Sequence, residues 1–218
     1  MTLTSASAVR LPWVSTDTAW LRDINHVSRE SPWLHAFMAA WAVYGGLVAL
    51  VLLTAGAYWW AARRRPDAPA AVAASVWVGL AAIIALWLNQ VISHAVARPR
   101  PFRTLPHLLV VIPKASDFSF PSDHATIAGA IAVSLLLLSW RIGLLAWALA
   151  LFLAFARVYV GAHYPEDVIA GLLFGVGVAL AGWLVFRVPL TLSAGALART
   201  PLRPLVTAAP TAGSHGRA

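Results

Sequence analysis

The sequence predicts an all-α fold: a polytopic transmembrane helix bundle of about five spans, with an N-terminal interfacial amphipathic helix. Three observations carry that expectation. Of 218 residues, 60% are hydrophobic and only 11% are charged, where a soluble domain carries about 25% charged residues. Mean hydropathy is +0.75. The apolar residues fall in stretches long enough to cross a bilayer, about 20 residues each, and arginines punctuate their ends.

The elements follow in chain order. Met1–Trp13 lacks the basic start, apolar centre and small-residue cleavage site of a signal peptide. Between Ser15 and Ser31, Trp20, Leu21, Ile24 and Val27 recur at helical spacing, with Arg22, Asp23 and Arg29 between them. That pattern suits a helix lying at the interface, with a short soluble lead-in as the alternative, and Asp17 is placed to cap it. The first span runs from Trp33 to about Ala62. Its end, Tyr58, Trp59 and Trp60 followed by Arg63, Arg64 and Arg65, is an aromatic belt and basic stop of the cytoplasmic side. The second span runs from about Ala70 to Ala97, and the proline-rich, polar Arg98–Phe120 connects it to the third, Ser122 to about Ser139. The fourth runs from Ile142 to about Val160, and the fifth from near Pro165 to near Arg187. The remaining Pro, Thr, Ala and Gly with scattered arginine lack the apolar periodicity to pack and are expected to be disordered. The chain thus divides into a lead-in over 1–32, a transmembrane domain over 33–188 and a cytoplasmic tail over 189–218.

Cysteine is absent, which excludes disulfides, thiolate metal sites and cysteine nucleophiles. The spans exclude a soluble nucleic-acid binder, although the net charge is +8. Alternation of the spans puts Arg141, Arg187, Arg199, Arg203 and Arg217 on the same side as Arg63–Arg65, and the segments Arg98–Phe120 and Tyr159–Pro165 outside. A second basic group, Arg98, Arg100, Arg103, Lys114 and Arg157, then falls on the outer side, where orientation alone disfavours it.

That outer side carries the chemistry. Arg100 and Arg157 are planar donors suited to a phosphate. Ser122 and the free N–H groups opening the third span add neutral donors. Asp167 sits four residues after His163, on the same face if the stretch is helical. A carboxylate there holds one ring nitrogen protonated and leaves the other as a nucleophile. His124 is left as the proton donor to the leaving oxygen. Asn89 and Gln90, within the second span, read as helix-packing residues.

These pieces, Arg100-Pro101, Pro121-Ser122-Asp123-His124 and Arg157-x5-His163-x3-Asp167, resemble the three-part signature of the phosphatidic acid phosphatase type 2 superfamily, Lys-x6-Arg-Pro, Pro-Ser-Gly-His and Ser-Arg-x5-His-x3-Asp. The resemblance covers roughly Asn89 to Gly175. It implies a metal-independent lipid phosphatase with no cofactor, working through a phosphohistidine: His163 as nucleophile, Asp167 as its orienting partner, His124 as general acid, and Arg100, Ser122 and Arg157 as the phosphate cradle. The departures are Ser93 at the lysine position, Ala156 before the arginine and Asp123 in place of glycine. Arg98, Arg103 or Lys114 is the expected replacement for the missing charge, with Arg98 counted among the phosphate ligands. Asp123 repels a phosphate unless it points away or pairs with an arginine. Pro-Ser-Asp-His-Ala with a degenerate lysine resembles the bacterial undecaprenyl-diphosphate phosphatase branch. The resemblance therefore implies hydrolysis of undecaprenyl diphosphate at the extracytoplasmic face of the cell inner (plasma) membrane. The alternatives are a phosphatase for phosphatidic acid, phosphatidylglycerophosphate or another lipid phosphate, and a lipid-phosphate binding or transport protein without hydrolysis.

Overall fold

Prolines, glycines and arginine runs interrupt the apolar pattern, and the helices stop there. The computed structural model of the protein describes residues 12–208. Residues 1–11, on which the signal-peptide expectation mostly rests, and the last ten of the expected tail lie outside the described residues. Helix α1 (Pro12–Glu30) ends ahead of Pro32. The first span, α2 (Pro32–Arg64), ends in the arginine run. Helix α3 (Ala68–Val96) stops at Ala97, whose φ of 49° is left-handed and whose N–H still bonds the Ser93 carbonyl. Two Arg-Pro steps follow it and cannot continue a helix. After a long loop come α4 (Asp123–Leu138), α5 (Trp140–Tyr159) and α6 (Pro165–Leu197). Four of these stretches, those of α2, α3, α5 and α6, are long and apolar enough to cross a membrane, and α4 is a shorter apolar helix.

Helix α4 is the axis of the bundle, packed against α3, α5 and α6. Many of its buried positions are small, with Ala125, Ala128, Ala130 and Ala132 fully covered. Small residues let membrane helices approach closely, and glycines take this to the limit at the α4–α6 seam. A Cβ on Gly175 would lie 2.1 Å from the Thr126 carbonyl oxygen, and one on Gly129 2.4 Å from that of Leu172. Trp77 of α3 is buried and its indole N–H donates to the Ala179 carbonyl of α6 at 3.0 Å. Ile83, Trp87, Leu151, Leu173 and Leu184 point outward and are exposed, as lipid-facing positions are.

Two expectations are corrected. Asp17 does not cap its own helix, because α1 begins at Pro12 and Asp17 lies inside it, buried. The tail is ordered well past 188. Helix α6 runs through Pro189 to Leu197, since neighbouring helices can absorb the lost backbone bond in a membrane bundle. The chain then folds back: the Tyr58 hydroxyl donates to the Leu205 carbonyl at 2.6 Å, the Ala208 N–H donates to the Arg63 carbonyl at 2.9 Å, and Val206 is fully buried. At the same end Arg65 donates to the Leu138 carbonyl at 3.0 Å. The arginine-rich helix ends therefore gather at one end of the bundle, opposite the loop that follows α3 and the one that joins α5 to α6.

Candidate active site

Three local devices build the site. Pro121 and Ser122 open α4, so Asp123 and His124 occupy its first turn. Arg157 sits in the last turn of α5. Gly161, with a φ of 77°, turns the chain back from α5 in a conformation that favours glycine. Pro165 then starts α6, and Asp167 in its first turn accepts the Tyr164 N–H at 2.9 Å. These devices deliver Arg157, His163 and Asp167 to one place.

His163 is buried between two guanidiniums. Arg100 Nη1 and Arg157 Nη2 each lie 3.2 Å from its Nε2. Its Nδ1 is 2.8 Å from the Ser119 carbonyl oxygen, which can only accept, so the proton sits on Nδ1 and the unprotonated Nε2 accepts from both guanidiniums. Asp167 Oδ2 stands 3.6 Å from Nδ1, too far for a direct hydrogen bond. The carboxylate instead accepts from the Ser119 hydroxyl as well as from Tyr164 N–H. Burial pushes the His163 ring down to about 4, with the Arg157 and Arg100 charges acting in the same direction and Asp167 opposing them. The ring is therefore neutral at pH 7, as a nucleophile must be.

The two arginines are held from behind. Arg100 Nη1 donates to the Ala162 carbonyl at 3.0 Å, and its Nε and Nη2 grip both oxygens of Asp117 at 2.9 Å. Partial burial works to raise the Asp117 carboxyl, but the Arg100 guanidinium overrides it and holds it below the usual range. Arg157 Nη1 donates to the Ala42 carbonyl of α2 at 3.1 Å, and its Nε is buried without a partner among the described residues. Arg100, Arg157, His163 and His124 border one open cavity of about 630 Å³, walled on its apolar side by Val43 and Tyr44 of α2. His124 Nε2 lies 3.2 Å from the Val43 carbonyl on that wall.

The structure thus brings together His163, Asp167, His124, Arg100 and Arg157. Ser122 lies fully buried at the head of α4, its N–H donating to the Asp167 carbonyl and its hydroxyl without a partner among the described residues. Ser122 is absent from the cavity wall, against its expected place in the phosphate cradle. Arg98 departs from expectation as well. It faces Asp167 Oδ1 at 2.7 Å, Asp17 at 2.7 Å and Glu166 at 3.2 Å, and is absent from the cavity wall, so its guanidinium is committed to carboxylates and not aimed at a phosphate. Arg103 and Lys114 do not border the cavity either; Arg103 donates to the Ala115 carbonyl and Lys114 stacks on Phe102. Asp123 borders the cavity and pairs with no arginine among the described residues: its Oδ1 accepts from the amides of Asn89 at 2.6 Å and Gln90 at 2.8 Å. Asn89 also receives the Thr126 hydroxyl, so these two polar residues of α3 pin the first turn of α4. Ser119 and Asp117 escaped the sequence reading. Ser119 acts partly through a backbone carbonyl, which no residue type signals, and Asp117 stands alone in an irregular loop.

Comparison with known proteins follows the same lines. The PAP2 superfamily model matches residues 74–189, just over half of the chain. An undecaprenyl-diphosphatase of Sulfolobus acidocaldarius is 41% identical over 97 residues, 43% of this chain and 46% of the relative. The undecaprenyl-diphosphatase BcrC of Bacillus subtilis is 38% identical over 116 residues, 51% of this chain and 56% of the relative. The matched region spans about half the length of these relatives. In fold, the chain is similar to a transmembrane PAP2-type phosphatidylglycerolphosphate phosphatase from Bacillus subtilis, with a TM-score of 0.56 and 23% identity over 80% of this chain and 86% of that one. With its helices, its motif spacing and its family match in agreement, this multi-pass membrane protein belongs to the PAP2 superfamily.

Proposed function

We propose that the protein hydrolyses undecaprenyl diphosphate to undecaprenyl phosphate and inorganic phosphate, without a metal ion, at the extracytoplasmic face of the plasma (inner) membrane. The observation that carries this reading is the unprotonated Nε2 of His163, which accepts from Arg100 and Arg157 at 3.2 Å each. Nε2 attacks the terminal phosphorus, the bond from that phosphorus to the bridging oxygen breaks, and the lipid monophosphate leaves. The equatorial oxygens of the transferring group carry the charge of a loose transition state. The two guanidiniums stand where those oxygens arrive and stabilise them. The ring, now phosphorylated, still donates its Nδ1 proton to the Ser119 carbonyl. Water then attacks the phosphohistidine, His124 takes its proton, inorganic phosphate departs and Nε2 is free again. A lipid monophosphate is a better leaving group than an alkoxide, so His124 matters less in the first step than it does for a phosphomonoester.

The outward orientation rests on the arginine-rich end being cytoplasmic. The lipid substrate rests on the similarity to undecaprenyl-diphosphatases and on the Pro-Ser-Asp-His-Ala stretch. The test is phosphate release by wild type and His163→Ala in one detergent, from undecaprenyl diphosphate, phosphatidic acid and phosphatidylglycerophosphate, with and without chelator. The expected result is fastest release from undecaprenyl diphosphate, abolished in the variant and unaffected by chelator. Faster release from either glycerolipid overturns the substrate, a divalent requirement overturns the metal-free step, and an active His163→Ala overturns the nucleophile.

A further inference from the structure

Helix α1 meets the candidate site at Arg98. Arg98 leaves the end of α3 and meets three carboxylates from two elements. Its Nη2 donates to Asp17 Oδ2 at 2.7 Å, and its Nη1 donates to Asp167 Oδ1 at 2.7 Å and Glu166 Oε2 at 3.2 Å. Its guanidinium also lies over the Tyr164 ring, 4.1 Å from the centroid. The other oxygen of Asp17 accepts the backbone N–H of Glu166 at 2.9 Å. Asp17 therefore caps the start of α6, a helix that begins far downstream in the chain. Tyr164, Glu166 and Asp167 together form the turn that follows His163.

Burial makes this arrangement selective. Asp17 is 6% exposed and Asp167 fully buried. A buried carboxylate is tolerated only when charges and donors satisfy it. Each has a guanidinium hydrogen and at least one backbone N–H. Arg98 cannot drift toward Asp167 or away from it without breaking its bond to Asp17. The oxygen of Asp167 opposite Arg98 is the one that faces Ser119 and the His163 ring. Moving the carboxylate by a few tenths of an ångström changes that contact, which is already long. The rest of α1 supports the same placement, since the Asn25 side chain exchanges two hydrogen bonds with the Leu109 backbone, at 2.8 and 3.1 Å, in the loop that carries Arg100 and Asp117 toward the cavity.

We infer that Asp17 is a positioning residue for the phosphatase reaction: by gripping Arg98 and the Glu166 amide at once, it sets the Asp167 carboxylate against Ser119 and His163. The inference rests on the proposed reaction. It gives α1, which lies outside the family-matched residues, a part in the chemistry beyond membrane attachment.

Two substitutions separate the contacts. Asp17→Asn keeps an oxygen that can accept the Glu166 N–H and loses the charge that holds Arg98; Asp17→Ala loses both. The test measures kcat and KM for undecaprenyl diphosphate, thermal unfolding in the same detergent, and the proton NMR signal of the His163 Nδ1–H, identified by its loss in His163→Gln. For Asp17→Asn the expected result is a kcat lowered about tenfold to a hundredfold, the range for losing a hydrogen bond to a charged group. KM stays within about twofold, and the Nδ1–H signal shifts while unfolding remains cooperative. Added to Asp167→Asn, Asp17→Asn causes no further loss, because both act through one carboxylate. An unchanged kcat and signal overturn the inference, as does a loss that multiplies with that of Asp167→Asn. Wild type that binds lipid and releases no phosphate defeats the proposed reaction instead, and the Nδ1–H signal then still decides whether Asp17 sets the imidazole.

Discussion

His163 donates its Nδ1 proton to the backbone carbonyl of Ser119, 2.8 Å away, while Asp167 stands back at 3.6 Å. The tautomer is therefore fixed by the main chain, and the carboxylate acts from one step further, through the Ser119 hydroxyl and by its charge. Ser119→Ala removes the hydroxyl and keeps the carbonyl, so it is expected to lower kcat about tenfold. In the proposed reaction, Asp167→Asn removes the charge that would stabilise the phosphorylated, cationic ring, and it is expected to cost about 10²- to 10⁴-fold, the usual range for an acid–base group. Phosphate release by the purified variants gives the order. A Ser119→Ala loss as large as that of Asp167→Asn contradicts it.

The His163 pKa fixes the acid side of the activity profile. Its value in the folded protein, about 4, lies below the ordinary 6.5. The ring thus stays neutral as pH falls through 6 and is protonated only near 4. Since kcat/KM reports the free enzyme, its acid limb is expected near pH 4, and a limb near 6.5 refutes the buried, guanidinium-flanked ring. Stability has the matching sign. Between about 6.5 and 4 the unfolded chain binds more protons than the folded one, so this group makes the folded state less stable as pH drops through that window. A Tm series from pH 7 to 4.5, compared with His163→Gln, isolates the contribution.

Asp117 occupies the Arg100 fork that an incoming phosphoryl group needs. Its side chain is 55% exposed, so the pair is screened by solvent and weak. Such pairs are worth about 0.2–1 kcal/mol. Asp117→Asn is accordingly expected to strengthen competitive inhibition by inorganic phosphate roughly two- to fivefold with little change in Tm. Weaker inhibition in the variant means that Asp117 holds Arg100 in place for the substrate instead of competing with it.

Gly175 and Gly177 form a matched pair on α6. A Cβ at 175 meets the Thr126 oxygen at 2.1 Å and the Ala130 nitrogen at 2.8 Å, both backbone atoms that cannot rotate aside; at 177 nothing lies within 4 Å. Gly175→Ala is expected to destabilise by about 1–3 kcal/mol or more, as overpacking does. Gly177→Ala is expected to leave unfolding unchanged or slightly raise its midpoint. Thermal melts in one detergent compare them, and equal midpoints contradict the close seam.

Much of this was legible in the sequence because lipid imposes a simple rule. Stretches of apolar residues had to be helices, and the arginines at their ends gave an orientation. The His163–Asp167 and Arg157–His163 spacings were readable because a turn and a helix start convert sequence separation into distance. What escaped depends on other physics. Arg98 looked like a phosphate ligand because charge and position alone do not tell which of several anions a guanidinium will face. Asp17 matched the pattern of a local cap, and only the packing of α1 on α6 reveals that it caps the other helix. The fifth span was expected to end near Arg187, but α6 continues through Pro189 to Leu197, because helix-breaking is a rule for helices without neighbours. Asn89 and Gln90 were read as packing residues, and they do pack, but on Asp123, one of whose oxygens they hold while the carboxylate still borders the cavity.

At Gly129, Gly171 and Gly175 the α4–α6 seam closes to backbone contact, with no side chain between the helices. His124 and Asp167 ride on opposite members of that seam, each in a first helical turn. Helix α2 is joined to this block at the cavity by Val43 against His124 and Ala42 against Arg157, contacts that a rotamer change can release. Helix α2 thus shapes the cavity through its main chain, by the Ala42 and Val43 carbonyls, which no residue type in the sequence marks.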